Sequence, residues 1–169
     1  MLEYIADIET YPGDFNHFRF FSFPQPEAPS MAEKGYAYIP KACAEEGARC
    51  PVHVALHGCM QAIEFIGFDF VEFSGYNNVA EANDMIILYP QVNATEDTNP
   101  RACWDYWGYT DDKGIELFST NLGPQMQAIK SIMESMEAGT LEFTAENISG
   151  GELIKTSTEC LECVAGDNS

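Results

Sequence analysis

With 169 residues, of which 46% are hydrophobic and 12% aromatic, the chain has the size and composition of one folded domain, which excludes a disordered protein. No apolar run approaches the roughly 20 residues that a membrane-spanning helix needs. The formal net charge of −19 argues against nucleic acid and against anionic membrane surfaces as partners, so we expect a neutral one.

The first segment, residues 1–34, is rich in phenylalanine and proline and shows no sustained period. It predicts an irregular lead-in with one short edge strand at Phe18 to Phe23. The residues after Met1 alternate between polar and apolar, so no secretion signal is recognisable in this sequence.

The middle of the chain has the pattern of alternating strands and helices. Gly35 to Pro40 alternates as a strand does, and Pro51 to His57 is a nearly continuous apolar run that predicts a central strand covered on both faces. Tyr76 to Asn83 predicts a short helix, and Met85 to Tyr89 predicts another buried strand. A strand, helix, strand unit normally connects parallel strands, so we predict the α/β class with a mostly parallel sheet flanked by helices.

The last third of the chain contains one more periodic segment. Apolar residues at helical spacing follow Pro124 and end at Gly139, which predicts a core-facing stripe of Met126, Ile129, Met133 and Met136. Leu141 to Thr144 is a candidate strand. We divide the chain into a lead-in at residues 1–34, a domain at 35–138 and a loosely ordered extension at 139–169.

Six cysteines are present, an even number. Cys43 and Cys50 flank a short acidic loop, which is typical of a local disulfide in an exported protein. Cys160 and Cys163 form a C-x-x-C motif, but no second motif of this kind accompanies them and no histidine follows His57. We therefore expect no metal site and no cofactor.

The string His57-Gly-Cys-Met-Gln61 directly follows a predicted buried strand. A His-Gly loop in that position presents a backbone N–H to the oxyanion in α/β hydrolases, and glycine allows the turn that aims it. The alternative for His57 is a hydrogen-bonded structural histidine at the end of a core strand.

Asn99 to Tyr109 contains four aromatic residues within six positions. Asp105 and the neighbouring proline and glycine predict a loop, where aromatic side chains more often form a binding surface than a core.

Five segments, in this order, resemble the C-terminal half of the catalytic domain of secreted short-chain-length polyhydroxyalkanoate depolymerases, which include the poly(3-hydroxybutyrate) depolymerases. They are Gly35 to Cys43, Cys50 to Gln61, Gly75 to Asn83, Ile87 to Gln91 and Asn99 to Tyr109. The resemblance implies part of a circularly permuted α/β-hydrolase fold, in which the nucleophilic serine, the aspartate and the histidine belong to the N-terminal half. We therefore expect the chain to begin after the catalytic triad.

The resemblance also implies roles for single residues. The backbone N–H of Cys59 is expected to be an oxyanion donor, and Cys59 is expected to be bridged to Cys103. Trp107 resembles the aromatic residue that lines the polymer-binding crevice, with Trp104 and Tyr109 as further candidates. The family implies an extracellular or periplasmic location.

A nucleophile within this chain has one candidate, Ser149 in Asn147-Ile-Ser-Gly-Gly151, where asparagine replaces the first glycine of a Gly-x-Ser-x-Gly motif. Its base would have to be His17, because His53 and His57 belong to the predicted oxyanion strand. The plainer interpretation of Ser149 is an exposed serine in a loop.

Three functional hypotheses follow from the sequence. The first is that the chain is part of a serine carboxylic-ester hydrolase whose substrate is a polyester or a hydroxyalkanoate ester. In this hypothesis the missing N-terminal half completes the enzyme, and the chain alone is inactive. The second is a non-catalytic polymer-binding module, and the third is an inactive gene fragment.

Overall fold

The sheet that organises the molecule has five strands. In a computed structural model that describes residues 19–111 and 117–146, they are β1 (Phe20–Pro24), β2 (Lys34–Tyr38), β3 (Val52–Val54), β4 (Ile86–Tyr89) and β5 (Thr144–Glu146). The helices are α1 (Ile63–Ile66), α2 (Asp69–Phe73), α3 (Tyr76–Ala82) and α4 (Pro124–Glu137), with a 3-10 turn at Lys41–Ala44. The predictions for His17, Ser149, Cys160 and Cys163 fall outside the described residues.

The strand order is β3-β4-β2-β1-β5, and among these pairs only β3 and β4 run parallel. The expectation of a mostly parallel sheet is therefore wrong, because the described sheet is mixed and mostly antiparallel. The connections give the reason. Residues 25–33 return the chain from β1 to β2 without a helix, whereas α1 to α3 supply the crossover between β3 and β4 that a parallel pair requires.

Two strands occupy positions that the sequence did not predict. β1 pairs with β2 on one side and β5 on the other, so it is an interior strand and not an edge strand. β3, predicted to be central, lies at the end of the described sheet. His53 on β3 is accordingly exposed and stacks on Tyr76, with 5.3 Å between ring centroids.

Both faces of β4 are covered, which explains its continuous apolar sequence. Ile87 and Tyr89 face a cluster with Phe20, Tyr38 and Val71, whereas Ile86 and Leu88 face a cluster with Phe23 and Ile132. The predicted strand β4 and helix α3 are both present. They are joined by a hydrogen bond in which the Tyr89 hydroxyl donates to Asn77 Oδ1 on α3 at 2.7 Å.

Helix α4 begins with Pro124 in its first turn, as predicted, but its buried face differs from the predicted stripe. Gln125, Ala128 and Ile132 are buried, whereas Met126 is 53% exposed. Ile129, Met133 and Met136 lie beside this face and are partly buried against the sheet. The predicted stripe therefore faces the core at three of its four residues, Met126 being the exception. Gln125 was not predicted to be buried because it is polar, and a search for apolar periodicity omits it.

The strand predicted at Leu141 to Thr144 is displaced. β5 spans Thr144–Glu146, and Phe143 just before it is buried against the aromatic rings of Phe21 and Phe23. Within residues 19–111 and 117–146, no helix has the length and hydropathy needed to cross a membrane.

Candidate active site

The segment Gly58 to Gln61 forms a tight turn beyond the end of β3, which we call the oxyanion turn. The N–H of Gln61 donates to the Gly58 carbonyl at 3.1 Å, and the N–H of Gly58 donates to Gln61 Oε1 at 2.7 Å. Met60 has φ 61°, in the left-handed region, and its side chain is exposed. The glutamine side chain thus closes the turn on itself and leaves the tip in solvent.

The backbone N–H of Cys59 lies at this exposed tip. Among the described residues, none of the hydrogen bonds uses this N–H, whereas those of Gly58, Met60 and Gln61 are all engaged. A donor that is already oriented and not occupied by the protein is what stabilisation of a developing oxyanion requires. The turn therefore offers one such donor.

His57, which precedes the turn, is buried and has both ring nitrogens occupied. Nε2 accepts the N–H of Val92 at 3.3 Å, so Nδ1 carries the proton and donates it to the Gly58 carbonyl at 2.8 Å. Burial lowers the pKa of His57, opposed by the Gly58 hydrogen bond and by the charge of Glu64. The side chain is a neutral structural residue that anchors the turn, in agreement with the plainer of the two interpretations.

A disulfide joins the oxyanion turn to the aromatic segment. Cys59 and Cys103 are bonded with their Cα atoms 4.2 Å apart, and the N–H of Met60 donates to the Arg101 carbonyl at 2.7 Å beside them. The second disulfide, Cys43 to Cys50, closes its own short loop. Both pairings agree with the sequence expectations.

Asp105 organises the loop Cys103 to Thr110, which we call the aromatic loop. Its Oδ1 accepts the N–H groups of Trp107, Gly108 and Tyr109 at 2.6–3.1 Å, and its Oδ2 accepts the N–H and hydroxyl of Thr110 at 3.0 and 2.6 Å. Partial burial would raise its pKa, but the hydrogen bonds from Thr110, Gly108 and Trp107 outweigh burial and hold the pKa below its ordinary value. The loop is thus wrapped around one carboxylate.

The structure distributes the predicted aromatic residues between surface and interior. Trp107 is 44% exposed and its ring lies 4.6 Å from that of Tyr106, which is 70% exposed. Trp104 is partly buried and packs against a small apolar cluster and the His57 ring, at 5.8 Å. Its Nε1 is buried and has no hydrogen-bond partner within the described residues.

Tyr109 packs its ring against the exposed Trp107, whereas its hydroxyl is bonded within the protein interior. Its ring lies 4.7 Å from that of Trp107, whereas its hydroxyl donates to the Cys103 carbonyl at 2.7 Å and accepts from Asn99 and Gln125 at 2.9 and 2.8 Å. The hydroxyl therefore has no capacity left for a ligand, and Tyr109 supports Trp107 from inside the protein.

Sequence reasoning missed three residues of this region. Asn99 is fully buried and binds both the N–H and the carbonyl of Cys103. Gln125 reaches the loop from α4, and Tyr106 extends its exposed aromatic surface. Tyr106 and Asn99 both belong to the segment Asn99 to Tyr109, and the hydrogen bonds of Asn99 are local to it. The contacts of Gln125 join residues 16 to 96 positions apart, which leave no local signal in the sequence.

A catalytic triad is not assembled within residues 19–111 and 117–146. His57 has no free nitrogen, His53 stacks on Tyr76, and no hydrogen bond in this part of the chain joins either histidine to a serine. This part of the chain also holds no group of three or more His, Cys, Asp or Glu side chains arranged as metal ligands.

The chain is similar in sequence to known depolymerases. No family model matches the chain. It is 43% identical over 111 residues to a poly(3-hydroxybutyrate) depolymerase of Delftia acidovorans, covering 65% of this chain and 21% of the relative. It is 34% identical over 120 residues to a polyhydroxybutyrate depolymerase of Talaromyces funiculosus, covering 65% of this chain and 35% of the relative.

Two solved structures share the fold. A PHB depolymerase variant complexed with an R3HB trimer superposes with a TM-score of 0.67 at 34% identity, and PHB depolymerase from Penicillium funiculosum superposes with 0.65 at 33%. Each match covers 75% of this chain and 43% of the solved chain, so the chain spans less than half of these relatives. In sequence and in fold, the chain is therefore similar to part of the poly(3-hydroxybutyrate) depolymerases.

Proposed function

We propose that the chain is part of an extracellular serine carboxylic-ester hydrolase for poly(3-hydroxybutyrate)-like polyesters, to which it contributes the oxyanion donor and the aromatic binding surface. One observation supports this most directly. Cys59 is exposed, no hydrogen bond among residues 19–111 and 117–146 uses its N–H, and its disulfide to Cys103 joins it to the loop that presents Trp107. An anion-stabilising donor and an apolar contact surface are thereby held in one rigid unit.

The chemistry of the proposal is acyl transfer. A serine hydroxyl attacks the ester carbonyl, its proton passes to a histidine, and the carbonyl oxygen becomes negatively charged. The N–H of Cys59 donates to that oxygen, a contribution of the kind whose removal lowers turnover ~100 to 1,000-fold. Collapse of the intermediate releases the alcohol end of the polymer, and water then hydrolyses the acyl-enzyme.

The serine, histidine and aspartate belong, in this proposal, to the N-terminal half of the catalytic domain, as the resemblance to the depolymerases implies. That half is accordingly the proposed protein partner. We expect the chain by itself to show no ester hydrolysis. Hydrolysis of a p-nitrophenyl ester by the purified chain that is abolished by Ser149→Ala would instead locate the nucleophile here.

A neutral polyester suits the surface of this protein. The net charge of −19 disfavours anionic ligands, whereas the exposed rings of Trp107 and Tyr106 suit an uncharged aliphatic chain. We propose that the Trp107 ring contacts the polymer and that Tyr109 supports the Trp107 ring. Trp104 packs beneath the binding surface and contributes to its shape. The two disulfides support an oxidising, extracellular compartment.

Two measurements test the proposal. Retention of the chain on poly(3-hydroxybutyrate) granules should be lost in Trp107→Ala and kept in Leu122→Ala, which truncates an exposed apolar residue outside the proposed site. Binding that survives Trp107→Ala would contradict the assigned surface.

The catalytic contribution separates the hydrolase from a polymer-binding module. We would replace the matched segment of the Delftia acidovorans depolymerase by residues 35–138 of this chain and measure hydrolysis. Gln61→Ala, which removes the acceptor that closes the oxyanion turn, should lower kcat by roughly tenfold or more. Gln61→Glu retains an acceptor oxygen for the Gly58 N–H but adds a negative charge beside the developing oxyanion, so it should preserve the turn and still lower kcat. A chimera that binds polymer but never hydrolyses it would favour the module.

A further inference from the structure

Gln125 is a polar residue on the buried face of α4. It is the second residue of the helix and is 5% exposed, aligned with Ala128 and Ile132, which pack into the interior. An apolar side chain of the same length would fill this space equally well. The presence of an amide therefore requires an explanation in its hydrogen bonds.

The side chain of Gln125 binds three residues in two other segments of the chain. Its Nε2 donates to the Pro29 carbonyl at 3.0 Å and to the Tyr109 hydroxyl at 2.8 Å, and its Oε1 accepts the N–H of Asp105 at 2.8 Å. Both amide protons are used, and the oxygen is engaged as well. One amide thus connects α4, the segment between β1 and β2, and the aromatic loop.

The two loop residues that Gln125 holds, Asp105 and Tyr109, also contact Trp107. Asp105 begins the hydrogen-bonded loop and accepts the backbone N–H of Trp107 at 3.1 Å. Tyr109 packs against the Trp107 ring at 4.7 Å, and its hydroxyl is held by Gln125. The tryptophan is consequently constrained through its backbone by Asp105 and through its ring by Tyr109.

We propose that Gln125 is a positioning residue, which sets the orientation of the exposed Trp107 ring for a 3-hydroxyalkanoate ester chain without touching that chain. The identity of this ligand rests on the proposed function. The effect of Gln125 on the orientation of Trp107 does not depend on it. A rigid aromatic contact surface loses less conformational freedom on binding than a mobile one, so the effect should be on ligand affinity.

The chain has two tryptophans, so Trp104→Phe leaves Trp107 as its single fluorescent reporter. In this background we would compare Gln125→Met, which keeps the length of the side chain and removes every hydrogen bond, with Gln127→Met, an exposed position on the same helix. Time-resolved anisotropy and near-UV circular dichroism report the mobility of Trp107. Titration with a soluble trimer of (R)-3-hydroxybutyrate reports affinity.

We expect Gln125→Met to increase the amplitude of fast Trp107 motion, to reduce its near-UV signal and to weaken trimer binding about tenfold or more. Gln127→Met should match the background protein. All measurements are made at a temperature where each variant is folded, and Gln125→Glu, which keeps an acceptor for the Asp105 N–H, serves as a second variant if Gln125→Met does not fold.

Unchanged Trp107 mobility and unchanged affinity in a Gln125 variant, accompanied only by a lower thermal midpoint, would overturn the proposal and leave Gln125 a structural residue. If the chain with Trp104 intact fails to bind the trimer, the proposed function is contradicted. The anisotropy comparison then still decides whether Gln125 positions Trp107.

Discussion

Replacement of Asp105 by asparagine tests whether one carboxylate organises the aromatic loop. Asparagine can present its oxygen to the N–H groups of Trp107, Gly108 and Tyr109, but its amide nitrogen must then occupy the position of Oδ2. That position faces the N–H and hydroxyl of Thr110, which is buried. Two donors would meet, and the Thr110 N–H would lose its acceptor.

The magnitude follows from these contacts. An unsatisfied buried N–H costs about 1–3 kcal/mol, and the three remaining hydrogen bonds weaken because they no longer end on a charged oxygen. Since Asp105 is partly exposed, water compensates some of this loss. We expect Asp105→Asn to reduce the free energy of unfolding by roughly 2–4 kcal/mol.

The assay is urea unfolding at neutral pH, followed by tryptophan fluorescence, for the wild type, Asp105→Asn and Asp97→Asn. The control removes the same charge from an exposed residue whose side chain makes no hydrogen bond within the described residues. If the two variants differ by less than about 0.5 kcal/mol, the additive reasoning from five hydrogen bonds is wrong.

Three further perturbations test other parts of the structure. Because burial lowers the pKa of His57 from its ordinary 6.5, the unfolded state binds the proton first, so stability should fall as pH decreases below about 6.5. His57→Gln should remove that slope from the urea midpoints, and His53→Gln should retain it. The double variant Cys59→Ala/Cys103→Ala should lose about 2–4 kcal/mol and polymer retention together; retention at the wild-type level would contradict the role of the disulfide. Ile132→Ala should lose about 2–4 kcal/mol in thermal unfolding without affecting the near-UV signal of Trp107, and a smaller loss would mean that α4 is not tightly packed.

Much of the local structure was predictable from the sequence. Helix α3 and strand β4 were predicted because apolar period and turn residues are local properties that neighbouring positions display together. The Cys43–Cys50 disulfide followed from the short spacing of its two cysteines. The Cys59–Cys103 disulfide was predicted from a resemblance of ordered motifs, and the role proposed for Trp107 rests on the same resemblance.

The tertiary structure decided the features that depend on which distant segments meet. Strand direction and the interior position of β1 depend on which strands pair. The amino-acid pattern within a single strand says little about its pairing partners. In the same way, the acceptors that engage the N–H groups next to Cys59, among them the Arg101 carbonyl, are brought there by the fold, and within the described part of the chain none of them engages the Cys59 N–H. Gln125 shows the physical reason most clearly. Its sequence neighbourhood is that of an ordinary helix, and its importance lies in three hydrogen bonds to Pro29, Asp105 and Tyr109, formed only when the folded chain brings those segments together.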